Sequence, residues 1–194
     1  MSNYNYIEKG EKFCDMRIWW GLQAYENEIT RRALHMSSDM TVPCDNGLIN
    51  IRVGAIIMKG GKFLMVGNER ADYLYSVGGR IKFGETAEEA IIREVQEETG
   101  VRMEIDRLGF IHENYFVGDA PANLGKLIYE ISFFFYMKVD DDFCPVNESF
   151  TEDNSKEHLR WVSVGDETKM YPEFFKTELL CPDQIAKHFV TIER

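Results

Sequence analysis

Glu94, Glu97 and Glu98 follow one another at helical spacing, with Arg93 directly before the first of them. On an α-helix, at about 100° per residue, these carboxylates fall within a sector of about 100°. Ile91 and Val95 border that sector, and Ile92 widens the apolar side. A helix seated on a sheet by that side presents its carboxylates along one edge. Glu94 and Glu98, as like charges at i and i+4, repel by a few tenths of a kcal/mol when exposed. At the border of a core they cost more, or their pKa values rise, unless a cation sits among them. Oxygen-only ligands on an open edge suit Mg²⁺ or Mn²⁺, with water and substrate phosphate in the remaining positions. The competing reading of E-x-x-E-E is a solvated acidic face. Two neighbours favour the metal: Gly78-Gly79 lets the backbone approach a phosphate or turn a carbonyl to a cation. Arg93 can orient the acids through its planar fork.

The elements needed to hold such an edge are legible around it. Ala87 to Thr99 is the clearest helix, opened by the capping pair Thr86 and Glu89 and stopped by Gly100. Upstream, Ile49, Ile51, Val53, Ala55 and Ile57 alternate as a half-buried strand does. Lys59 to Lys62 reads as a turn into a strand at Phe63–Val66, and Tyr73 to Val77 as a third strand that ends at the glycine pair. Downstream, Met103–Phe116 and Lys126–Val139 read as strands, and Leu159–Val162 as a last short one. Pro172 stands where a helix with Phe174, Phe175, Leu179 and Leu180 on its apolar side would begin. Between them, Asp140 to Glu157 holds seven acidic residues and one lysine and reads as a long loop. Strands and helices interleave without a regular βα repeat, which predicts an α/β fold with a mixed sheet between helices. Residues 1–46 read as a separate extension, helical where Ile18, Leu22, Tyr25, Ile29 and Ala33 recur, and residues 47–194 as the main domain. The extension's apolar stripe predicts a packing face or a homodimer arm.

Composition sets the outer limits. The 194 residues carry 22 Lys plus Arg against 33 Asp plus Glu, a net charge of −11. Such a surface repels a polyanion, so a nucleic-acid polymer is not the expected partner. A small phosphorylated substrate is compatible with it when a bound cation inverts the local field. The longest apolar run, Phe133 to Met137, is far short of the ~20 residues that span a bilayer, and no apolar export segment opens the chain. The four cysteines are scattered without metal-ligand spacing and read as reduced, partly buried thiols. A cytoplasmic protein without membrane contact is the expectation.

From Gly79 to Val101 the chain matches G-x5-E-x7-R-E-U-x-E-E-x-G-U, where U is apolar, at Gly79, Glu85, Arg93, Glu94, Glu97, Glu98 and Gly100. At roughly 5–7% usage per residue type, a chance match is of the order of one in a million over all registers. The stretch resembles the Nudix box of the Nudix (MutT-like) hydrolases, and the likeness extends over roughly residues 48–180. The resemblance implies a Nudix-type α/β/α sandwich in which helix glutamates bind divalent cations. These activate water to attack a diphosphate linkage in a nucleoside diphosphate joined to another group. By position it makes Glu94, Glu97 and Glu98 metal ligands, with the Gly78 carbonyl as a further one, and Arg93 and Glu85 orienting partners. The family commonly has proline where this chain has Val77, which alters the rigidity of the turn and removes no ligand.

Other positions are less specific. A general base outside the box has candidates in Glu148, Glu152, Asp153 and Glu157. Tyr115 and Phe116 are candidates to stack on a base. Arg52, Arg70, Arg80, Lys82 and Lys126 are candidate phosphate contacts, Arg80 being best placed after the glycine pair. The four histidines do not cluster and receive no role. The expected activity is Mg²⁺-dependent (or Mn²⁺-dependent) pyrophosphate-bond hydrolysis of a nucleotide or nucleotide sugar. The alternative is a nucleotide-sensing module with little turnover.

Overall fold

The computed structural model describes residues 38–69, 72–119, 123–145, 148–150 and 156–193. The predicted helix through Ile18 to Ala33, together with Arg70, Glu152 and Asp153, lies outside them.

β1 (Thr41–Cys44) and β2 (Gly47–Ile56) form an antiparallel hairpin across Asp45-Asn46. The alternation of the predicted strand is realised in β2, which turns Val53 and Ala55 toward one buried cluster and Ile56 toward the other. β3 (Met58–Lys59) and β4 (Lys62–Asn68) make the next hairpin, and β5 (Leu74–Ser76) pairs antiparallel with β4.

Helix α1 covers Ala87–Thr99, the predicted bounds. Thr86 Oγ1 accepts from the Glu89 backbone N–H, the Glu89 carboxylate accepts from the Thr86 N–H, and Gly100 closes the helix at φ 74°. Thr86→Ala removes one half of this cap and is expected to cost about 1 kcal/mol, read as a shift of the urea midpoint. Ala90, Ile91 and Val95 are fully buried, so α1 lies on the core by the face that adjoins Glu94 and Glu98.

β6 (Ile105–Val117) and β7 (Leu127–Met137) are the long antiparallel pair. β8 (Glu148–Phe150) and β9 (Lys156–Ser163) follow, then β10 (Met170–Tyr171), the single-turn helix α2 (Phe175–Glu178) and β11 (Lys187–Ile192). One sheet has the order β1-β2-β7-β6-β11, with β2/β7 and β6/β11 parallel. The other has the order β10-β5-β4-β9-β8, with β3 attached to β4. Val53, Ala55, Leu64 and Val66 form a core with α1, and Phe63, Phe110, Phe134, Phe175 and Leu179 form a second one beneath α2. The result is an α/β/α sandwich with mixed sheets, as the resemblance implies.

Four differences from the sequence reading stand out. The helix after Pro172 is one turn, because Phe174 and Phe175 already fill the second core. β11 was not foreseen; Phe189 anchors it by stacking on Phe174 at 4.4 Å. β9 begins well before Leu159, so Glu157 sits on a strand opposite Asn68 rather than in a solvated loop. Cys44, Cys144 and Cys181 are free thiols and exposed, not partly buried. Among the described residues no helix is long and apolar enough to cross a membrane.

Candidate metal centre and active site

The segment after β5 is stitched to β2 by backbone hydrogen bonds: Ala55 N–H to Val77 O, Val53 N–H to Gly79 O and Ile81 N–H to Ile51 O. This brings Gly78-Gly79 against the end of α1. Gly78 adopts φ 138°, and a Cβ there would collide with the Val53 carbonyl oxygen. A Cβ on Gly79 would lie 2.5 Å from the Glu94 carboxyl carbon. The glycine pair therefore makes the room that the acidic edge occupies. Gly79→Ala is expected to leave stability nearly unchanged, since a flexible carboxylate can swing aside. The displaced Glu94 should cost about 10-fold in turnover, by analogy with other disturbances of ligand orientation; steady-state kinetics beside thermal melting checks it.

Arg93 is the hub of the edge. Its Nε and Nη2 donate to the two Glu85 oxygens at 3.1 and 2.5 Å, and Nη1 donates to Glu94 at 2.6 Å and Glu97 at 3.2 Å. Nη2 also donates to the Arg80 carbonyl at 3.2 Å. Burial raises the Glu85 carboxyl, but donation from Arg93 and from the Lys82 N–H outweighs it and holds the group below the usual carboxylate range. Glu94 goes the other way: burial outweighs the Arg93 bond and raises it. The Glu94 side chain is 13% exposed and that of Glu97 56%, so the Glu97 carboxylate is the more solvated partner of Arg93.

Glu98 is the most constrained acid. Its Oε1 accepts from the Gly78 N–H at 3.2 Å, while Oε2 is buried with no hydrogen-bond partner among the described residues. Burial raises its pKa well above the ordinary value; the Gly78 N–H opposes this, and the charges of Glu157 and Glu94 add to it. Glu157, 8% exposed on β9, accepts at Oε1 from the Tyr75 hydroxyl. Arg52 Nη2 donates to the Gly78 carbonyl at 3.5 Å, and its Nη1 lies 3.8 Å from Glu130. Among the described residues no group of three or more His, Cys, Asp or Glu side chains is already drawn to ligand spacing. A buried carboxylate oxygen without a donor, with like charges beside it, is nevertheless the chemistry that a hard cation satisfies.

The structure thus groups Glu85, Arg93, Glu94, Glu97, Glu98 and Gly78 of the predicted site residues. Arg80 is tied to Asp39 at 3.0 Å. Tyr115, on β6, is stacked on Tyr129 with ring centroids 4.4 Å apart, so one of its faces is taken. Phe116 is half-buried beside it on the same strand. Glu148 lies on β8. Sequence reasoning missed Tyr75 and Asn68, whose only local signal is their position on short strands. It offered Glu157 as one of four acids without ranking it.

The NUDIX domain family matches residues 49–178, about two thirds of the 194 residues. The fold is similar to the crystal structure of a MutT protein from Bacillus halodurans, with 19% identity over 73% of this chain and 90% of that one and a TM-score of 0.54. It is also similar to a NUDIX hydrolase from Nitrosomonas europaea, with 20% identity, 79% and 83% coverage and a TM-score of 0.51. No curated protein matches the chain in sequence. At such identities the solved structures speak for the fold alone, whereas the family match spans the acidic helix, its glycine pair and both cores: the chain belongs to the NUDIX domain family of hydrolases.

Proposed function

We propose that this chain is a divalent-metal-dependent pyrophosphohydrolase that cleaves a diphosphate linkage in a nucleoside diphosphate joined to another group. A nucleotide or nucleotide sugar is the substrate class. The observation that carries this reading is the buried Glu98 carboxylate, whose Oε2 has no donor among the described residues in an environment that already contains Glu94 and Glu157. Glu94 and Glu98, with Glu97 and the Gly78 carbonyl, would hold Mg²⁺ or Mn²⁺. Such a cation polarises phosphoryl oxygens, lowers the pKa of bound water and offsets charge on the departing phosphate.

The chain's own residues do the positioning. Glu85 locks Arg93 through both of its oxygens, and Arg93 in turn fixes Glu94 and Glu97. The Gly78 N–H sets the rotation of Glu98. Of the four acids offered for the base, Glu157 is supported best, because it is nearly buried on β9 and its charge acts on Glu98. Arg52 and Arg80, flanking the glycine pair, supply positive charge where phosphates of the substrate would lie, with Arg70 as a further candidate.

A Mg²⁺-supplemented panel of nucleoside triphosphates, nucleoside diphosphate sugars, ADP-ribose and dinucleotides tests the proposal, with products identified by mass. Cleavage of one class between phosphates is the expected result. Tight binding of a panel member without turnover would instead favour a nucleotide sensor.

A further inference from the structure

On the face of the second sheet that carries Val66, three polar side chains from neighbouring strands are linked in one direction. Asn68 on β4 and Glu157 on β9 are register partners, and Tyr75 on β5 stands opposite Val66, two residues from Asn68. The Asn68 amide Nδ2 donates to the Tyr75 oxygen at 3.4 Å, and the Tyr75 hydroxyl donates to Glu157 Oε1 at 2.5 Å. Because the amide feeds the acceptor side of the phenol, the phenol's own hydrogen is directed to the carboxylate. Val66, Leu64 and Leu159 pack with Ile91 and Val95 of α1 around this face, which therefore looks toward the helix that carries Glu98.

Glu157 is in an unfavourable place. It is almost buried, and its charge acts on Glu98, itself a buried carboxylate. Two such acids repel, and a side chain with three rotatable bonds would relieve the repulsion by turning away. We propose that Tyr75 is a positioning residue that holds Glu157 toward Glu98, so that both carboxylates are presented together to a divalent cation. This inference rests on the metal-dependent reading above. Phenol to carboxylate is a charge-assisted bond, about twice as strong as a neutral one, which suits a hold against electrostatic repulsion.

The test uses Mn²⁺ alone, titrated into the full chain and followed by the electron paramagnetic resonance of the free ion. Wild type, Tyr75→Phe, Glu157→Gln and the double variant are compared, with metal-free melting curves to verify folding. Partners that orient metal ligands typically contribute 10–100-fold in affinity. Tyr75→Phe is therefore expected to weaken Mn²⁺ binding by about 10-fold or more, and to add nothing when Glu157 is already glutamine. In turnover it should lower kcat with little change in KM, as loss of site geometry does without loss of substrate contact. Wild-type Mn²⁺ affinity in Tyr75→Phe, or an equal further loss in the double variant, would overturn the positioning role while leaving the metal-dependent reading intact. A wild-type chain that binds no Mn²⁺ would overturn both.

Discussion

Glu98→Gln is expected to lower turnover by about 10³-fold and to leave the fold intact. A cation at this edge supplies several kcal/mol of charge stabilisation in the transition state, and each 1.36 kcal/mol is tenfold in rate. The amide keeps the size of the side chain, and its oxygen can still accept from the Gly78 N–H, so packing is preserved. The charge is what disappears. The same substitution is expected to stabilise the metal-free protein at neutral pH, because it removes a buried charge that faces Glu94 and Glu157. The pH dependence follows from the direction of the shift. Glu98 binds its proton more tightly in the folded chain than in the unfolded one. Its contribution to stability is therefore complete below the ordinary carboxylate value and is lost as pH rises through the raised folded value. Metal-free wild type should lose stability across that window, and Glu98→Gln should lose less. Melting temperatures measured against pH in the presence of a chelator check this; parallel profiles would contradict it.

Arg93→Ala is the second large effect. The guanidinium donates to Glu85 twice, to Glu94, to Glu97 and to the Arg80 carbonyl. Removing it leaves Glu85 and Glu94, both mostly buried, without their cation. Hydrogen bonds to charged groups contribute about 1.5–3 kcal/mol, so a loss of about 2 kcal/mol or more is expected in urea unfolding. Turnover should fall by about 10–100-fold, because the carboxylates are no longer held in one arrangement. Arg93→Lys separates charge from geometry. Lysine restores a positive charge but cannot grip both Glu85 oxygens and Glu94 at once. It should recover part of the stability and little of the turnover. Full turnover in Arg93→Lys would show that the fork is not needed.

What the sequence made legible was the local part of the site. Helix α1, its capping pair and its terminal glycine depend on contacts within a few residues, and so does the angle among Glu94, Glu97 and Glu98. The role of Gly78-Gly79 was visible as chemistry, but its cause is tertiary: the pair is pressed between the Val53 carbonyl and the Glu94 carboxylate. Glu157 was hidden by composition. It closes an acidic, polar stretch, and strand pairing with Asn68 and Ser149, together with the Tyr75 hydroxyl, carries it into the interior. β11 gave a readable signal in Phe189-Val190-Thr191-Ile192, yet most of its residues are exposed, and one aromatic anchor stacked on Phe174 decides its place. Tyr115 shows what a strand aromatic leaves open. An aromatic on a strand invites a ligand, and here its nearest ring is that of Tyr129 on the neighbouring strand.

The most direct test of the account is hydrolysis in ¹⁸O-labelled water, with wild type and Glu98→Gln run side by side on the substrate that the panel identifies. With Mg²⁺, wild type should place one ¹⁸O atom in a phosphate-bearing product, and Glu98→Gln or added chelator should nearly abolish that product. Wild-type rates in Glu98→Gln, or hydrolysis undiminished by chelator, would contradict the claim that the acidic edge of α1 is the metal-dependent catalytic centre.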